Sequence, residues 1–299
     1  TWLLAEEASR IVTVLLSGEA GDEVYSGYDT HSAFKVRKLY RKMVPGVLRR
    51  GVISPVVNML PVSHRKLSFD FKAKRFVRGA ELDIPESHFF WRAVLSGDAA
   101  EEVLKDPERL ACFPEPHRCF SEVFRNCRAD ADLNRILCID TSCHLPNDLM
   151  IKTDRMTMAH SIEARVPFTD TELFRFLAEV PVRHKFPGLR KKHLLRESMR
   201  GTLPDSIVNK KKVGLEMPYS RWMRQELREL VLEYLSPSRL NATGLFSSQG
   251  VQQLWKRHDM KLQDNGRALW GILNYMMWHE LYIDSSGYRS HINPGVVRR

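Results

Sequence analysis

The run Ile11-Val12-Thr13-Val14-Leu15-Leu16 ends abruptly in Ser17-Gly18. Three carboxylates then follow among small residues, at Glu19, Asp22 and Glu23. An unbroken β-branched apolar run reads as a buried parallel strand. Ligands of open α/β sheets bind just beyond the carboxyl ends of such strands. Glu19, Asp22 and Glu23 would then stand at the rim of a site. Small residues there let a large ligand approach the backbone, and carboxylates can hold Mg²⁺ or move a proton. The same pattern suits a plain strand followed by a helix whose first turn carries Asp22 and Glu23, favoured by its dipole. Spacing alone leaves both readings open.

The 299 residues allow one large domain or two small ones, and a hydrophobic content of 43% supports a sizeable core. No apolar run approaches the roughly 20 residues of a membrane span. The start, Thr1-Trp2-Leu3-Leu4-Ala5-Glu6-Glu7, lacks the basic region of a signal peptide. No membrane partner is expected. The first residue is not Met, and one strand followed mostly by helical patterns cannot complete a parallel sheet. The expectation is a piece of a longer chain.

Net charge is +10. The cations are spread over Lys35–Arg50, Arg65–Arg78, Arg183–Arg200, Lys210–Lys212 and Arg298–Arg299, and none of these runs forms a nucleic-acid motif with aromatic interleaving. Most of these runs read as solvated helix faces, so no nucleic-acid partner is expected. An excess of cations also suits a polyanion such as ATP or pyrophosphate. Cys112, Cys119, Cys127, Cys138 and Cys143 lie in one quarter of the chain, odd in number and with no CxxC. That argues against a disulfide framework and a zinc site, His117 between Cys112 and Cys119 notwithstanding. Reduced thiols in a cytoplasmic enzyme are the simplest account.

A second constellation is His144–Ala159, which reads as one helix with Pro146 in its first turn. Asp148, Lys152 and Arg155 then share one face at i, i+4 and i+7. This is either an exposed Asp148–Lys152 ladder or an acid and two cations presented to a phosphate chain. Glu163 and Arg165 read as a buried structural pair, and Asp170 as the cap of a helix over Thr171–Ala178. A third constellation is Lys210-Lys211-Lys212-Val213-Gly214-Leu215-Glu216-Met217-Pro218, in an irregular Pro204–Pro218 segment that suits a loop. Lysines on a loop are usually solvated, but one beside a glycine hinge could stabilise a developing negative charge. The last long helix, about Asp264–Ile283, offers Leu269, Trp270, Ile272, Leu273, Met276, Met277 and Trp278 to a core.

In this order, Ser17–Tyr28, Leu145–Asp170, Lys192-His193-Leu194-Leu195-Arg196, Lys210–Pro218 and His258–Trp270 resemble the synthetase domain of class B glutamine-hydrolysing asparagine synthetases. The resemblance implies an α/β fold of the adenine nucleotide alpha hydrolase-like (PP-loop ATP pyrophosphatase) type. Here it would be a helix-dominated fragment with an incomplete parallel sheet, a partial domain over 1–284 and a flexible tail over 285–299. It implies ATP and Mg²⁺, an aspartate carboxylate that attacks the α-phosphorus to give β-aspartyl-AMP, and ammonia supplied by a glutaminase domain. By position, Glu19 would act as base, Arg155 and Lys212 would neutralise phosphate charge, and Asp22 would hold Mg²⁺. Ser17, Gly18, Asp148 and Lys152 would contact ATP or the acyl-adenylate. The family's SGG-x-DS phosphate loop is absent from these residues, so the chain alone is expected to be inactive. Ala20 and Ser26 stand where glycine is usual, and Leu215 where phenylalanine is. Those changes suit another carboxylate acceptor, as in polysaccharide or natural-product pathways. A non-catalytic scaffold is the alternative, and a homodimer is an open possibility.

Overall fold

The computed structural model describes residues 1–63, 68–95, 97–106, 117–211, 214 and 217–284. Arg65, Cys112, Lys212, Leu215 and the expected tail over 285–299 lie outside the described residues. The chain divides into two compact units. One comprises Thr1–Pro45, Gly79–Trp91 and Pro116–Gly214; the other comprises Gly46–Arg78, Arg92–Glu115 and Leu215–Arg299.

The first unit is helix-rich, with a small parallel sheet in which β1 (Val14–Leu16) pairs with β2 (Glu163–Arg165). Val14 lies opposite Glu163, Leu15 opposite Ala164 and Leu16 opposite Arg165. The ladder is extended at both ends, by Glu163 N–H to Thr13 O at 2.9 Å and by Ser17 N–H to Arg165 O at 2.8 Å. The buried strand expected over Ile11–Leu16 is corrected. It is three residues long, with Leu16 74% exposed. A parallel strand becomes buried only when neighbours and helices cover it, and among the described residues β1 has a single partner.

The helix expected from His144 starts earlier. A helical segment begins at Asp132, runs to Ile139, widens into a π-helix over Asp140–Met150, and returns to α-geometry over Ile151–Met158. Pro146 sits inside the π segment instead of in a first turn. Proline has no N–H to donate and crowds the carbonyl four residues back, and a wider turn relieves both. The Pro204–Pro218 segment is not wholly irregular, because Asp205–Val208 forms one helical turn. Asp170 caps its helix as expected, accepting Leu173 N–H at 2.9 Å, and that helix runs Thr171–Glu179.

The second unit is built around Met223, Val231, Leu254, Leu269 and Leu273, all at most 1% exposed. Its last helix, Gly266–Tyr282, buries Leu269, Ile272, Leu273 and Met276 at the spacing of one face. Met277 and Trp278, expected in the core, lie on the opposite side and are exposed. His258 is fully buried and structural. Its Nδ1 accepts Asn265 N–H at 3.2 Å, which leaves Nε2 to donate to Ser220 O at 3.0 Å. No helix is long and apolar enough to cross a membrane, among the described residues.

Ala20 and Ser26 both adopt the left-handed conformation, with φ of 64° and 57°. This region costs an L-residue about 1 kcal/mol relative to glycine. The Ser26 hydroxyl is also fully buried, with no hydrogen-bond partner among the described residues. Ser26→Gly should therefore raise unfolding stability by about 1 kcal/mol or more, read as a higher denaturant midpoint at unchanged slope.

Candidate active site

The β1–β2 pairing delivers the acidic loop to one side of the Ile151–Met158 helix. Glu19 Oε1 accepts Thr153 Oγ1–H at 3.3 Å and lies 3.4 Å from Lys152 Nζ. Thr153 is buried, while Lys152 and Glu19 are partly exposed. The Glu19 N–H in turn donates to Ser17 Oγ at 3.4 Å. Lys152 thus pairs with Glu19, not with Asp148. Asp148 is exposed, 3.5 Å from His144 Nδ1. Arg155 follows Lys152 by three residues, on the same side of the helix, and is exposed.

Beyond Ala20 the loop becomes a short helix, Gly21–Val24, with Asp22 and Glu23 in its first turn. The loop reading and the reading of a helix with acids in its first turn therefore hold together, but Ala20 at the start of that helix gives it no side-chain cap. Asp22 Oδ1 meets Lys192 Nζ at 3.0 Å, and Asp29 pairs with Lys191 next to it. Glu23 is 1% exposed, and the Tyr28 hydroxyl donates to it. Burial pushes the Glu23 carboxyl above its usual range, with the Tyr28 bond opposing and the nearby Asp140 and Asp22 charges reinforcing.

Glycine placement follows this geometry. A Cβ at Gly27 would lie 1.7 Å from Asp22 Oδ1 and 2.7 Å from Lys192 Cε, so the ion pair needs glycine there. A Cβ at Gly18 would meet nothing within 4 Å. The loop is thus packed on its helix side and open at Gly18.

Lys191, Lys192, Thr153 and Tyr28 were not singled out as site residues from the sequence. Lys192, Tyr28 and Thr153 lie within the motifs that carry the resemblance, but nothing local shows that Lys192 and Thr153 reach Asp22 and Glu19 from distant positions or that Tyr28 folds back onto Glu23. Arg196, in the same motif as Lys192, donates to Val208 O and, at 2.9 Å, to Lys210 O. It anchors the basic segment as far as Lys210. The proposed phosphate-neutralising Lys212 lies outside the described residues. The Glu163–Arg165 pair is present at 2.8 Å but is exposed, not buried as expected. The guanidinium holds the Glu163 carboxyl below its usual range. These residues alternate with inward ones on an open strand, so their side chains meet in solvent.

The "Asparagine synthase" family model matches residues 1–280, nearly the whole chain. The chain belongs to the asparagine synthase family. It is 26% identical over 283 residues to "Asparagine synthetase [glutamine-hydrolyzing] 1" of Bacillus subtilis, covering 95% of this chain and 43% of that protein. It is 28% identical over 291 residues to a "Putative asparagine synthetase [glutamine-hydrolyzing]" of Mycobacterium bovis, covering 95% and 42%. A shorter match, 27% over 105 residues, links a third of the chain to an amidase of Gibberella zeae. The chain spans less than half the length of the asparagine synthetases it matches end to end.

Two outcomes follow from the loop. Gly27→Ala should destabilise the first unit by about 1–3 kcal/mol through overpacking, whereas Gly18→Ala should stay within about 0.5 kcal/mol, both read by chemical denaturation. A carboxyl whose folded pKa is raised contributes stability at low pH that is lost as pH rises through that pKa. Stability of the parent should therefore fall, on account of Glu23, as pH rises above 4.5. Glu23→Gln should remove that part of the fall, seen as a flatter profile of melting temperature against pH.

Proposed function

We propose that the protein containing this chain is an ATP-dependent ligase that forms a carbon–nitrogen bond through an acyl-adenylate. The observation that carries this reading is the pairing of two rim carboxylates with lysines from two distant segments, Glu19 with Lys152 and Asp22 with Lys192. A site of alternating charge on a loop with an open glycine can accept a polyanion and a cation together. Entering phosphates would draw Lys152 and Lys192 away from their carboxylates and release both for chemistry.

The residues present fit Mg²⁺ in its usual protein setting, one or two carboxylates completed by phosphate oxygens. Asp22, already facing a cation, would be the protein ligand. Bound there, Mg²⁺ would offset charge on the pyrophosphate. Lys192, Lys152 and Arg155 would add positive charge around the α-phosphorus as the carboxylate of aspartate, or of another acceptor, displaces pyrophosphate. Glu19 would then take a proton from ammonia as its nitrogen attacks the acyl carbon and AMP departs. Thr153 would hold Glu19 in orientation after Lys152 turns to the phosphates. Ammonia would come from a glutaminase domain, and the phosphate loop from residues outside this chain.

The test is pyrophosphate release by the full-length protein with ATP, Mg²⁺, glutamine and a panel of carboxylic acids beginning with aspartate. Release that requires one of the carboxylic acids is expected, and release indifferent to all of them sinks the reading. Glu19→Gln should lower amide formation by about 10²-fold or more while leaving the unfolding midpoint nearly unchanged.

A further inference from the structure

Four cysteines that the proposed chemistry does not use face one another between two helices of the first unit. Cys119 lies on the Arg118–Asn126 helix and Cys127 is the residue that ends it. Cys138 lies on the Asp132–Ile139 helix, and Cys143 on the π segment that continues it. Cys119 and Cys127 are eight residues apart, which puts both on one helical face, roughly 12 Å from each other along the axis. That face lines a cavity of about 340 Å³ with Cys119, Glu122, Val123, Asn126 and Cys127 on one wall and Cys138 opposite. The Cys138 thiol faces that of Cys127, and the Cys143 thiol faces that of Cys119, with Cys138 also near enough to Cys143 to act on its charge. All four are free thiols. The chain runs down one helix and back along the other, so the contacts form two rungs of a ladder. They do not converge on one point as metal ligands would, and the cysteines form no group of three with ligand atoms close together among the described residues.

We propose that this ladder is a two-rung dithiol site, in which Cys119 with Cys143 and Cys127 with Cys138 each close into an intramolecular disulfide on exposure to a small-molecule disulfide such as oxidised glutathione. On the outer rung the exposed Cys119 attacks first. Its sulfur bonds to one glutathione sulfur, and the other leaves as the thiol. The Cys143 sulfur, after losing its proton to solvent, then attacks Cys119 Sγ and expels the second glutathione, which takes up a proton. Two protein thiols are oxidised and one glutathione disulfide is reduced to two thiols. Burial first, then the neighbouring Cys119 and Asp140, push the Cys143 thiol up to about 12. In the reduced site this leaves the exposed Cys119, not Cys143, to make the first attack.

The experiment treats the full-length protein, on a Cys112→Ser background, with oxidised glutathione in excess. Remaining thiols are alkylated, and peptides are mapped by mass spectrometry. The expected result is loss of two hydrogens per rung, with the linked peptides Cys119–Cys143 and Cys127–Cys138. Closure of the outer rung should speed up about tenfold per pH unit between neutral and mildly alkaline pH, as the thiolate fraction rises. Cys119→Ser, a change at an exposed position, should abolish the outer rung and leave Cys127–Cys138 closing. Protein that stops at mixed disulfides, pairs the cysteines otherwise, links between chains or keeps its thiols overturns the proposal. A closure rate indifferent to pH overturns thiolate attack as the route.

Discussion

The parallel pairing of β1 with β2 is the constraint on which the site depends. Three residue pairs and two flanking hydrogen bonds fix where the chain leaves the sheet at Ser17. β2 follows directly from the helix that carries Lys152 and Thr153, so the same pairing sets the distance between that helix and the acidic loop. A slip of one residue would turn every side chain of the strand to the other face and would move Glu19 away from Thr153. The adjoining loop adds its own demands. Gly27 leaves room for the Asp22–Lys192 pair, and Ala20 and Ser26 bend the chain left-handed on either side of the short helix.

Buried polar side chains support this loop from below. His31 Nδ1 accepts Tyr28 N–H at 3.4 Å, which leaves its Nε2–H to donate to Asp140 at 2.8 Å. His88 Nε2 meets the other Asp140 oxygen at 2.6 Å. All three side chains are buried, and their ligand atoms are close enough for a metal ion. The Tyr28 contact favours the proton on the His31 nitrogen that a metal would need free, so the arrangement is a hydrogen-bonded brace. It ties the π segment to the residues that follow Glu23. A carboxylate that accepts from two imidazoles inside a protein replaces the water it has lost, which lets the loop end rest on a polar base.

Much of this was legible in the sequence. The order of the motifs gave the family, and the Ser17–Glu23 pattern located the loop and its first-turn acids. Asp170 was legible as a cap because capping is a local event. What failed depended on the third dimension. The apolar run before Ser17 has the composition of a covered strand, but coverage comes from neighbours that periodicity does not report. Pro146 marks a helix start by local rules, yet the helix already running from Asp132 absorbs it by widening. Lys152 reads either as the partner of Asp148 on its own helix or as a cation for a phosphate chain, and neither reading includes Glu19. Only the fold places Glu19 beside Lys152 and Thr153. Met277 and Trp278 failed for the same reason, because a helix that is apolar nearly all round does not announce which face it buries.

The central claim is that this rim activates a carboxylate as its adenylate. A single turnover by the full-length protein with ATP, Mg²⁺, glutamine and a heavy-oxygen-labelled carboxylate acceptor tests it most directly. The account predicts transfer of one labelled oxygen to AMP, because the carboxylate oxygen that attacks the α-phosphorus stays on the phosphate when ammonia displaces it. Label appearing in inorganic phosphate beside ADP, or amide formation that leaves the AMP unlabelled, would contradict it.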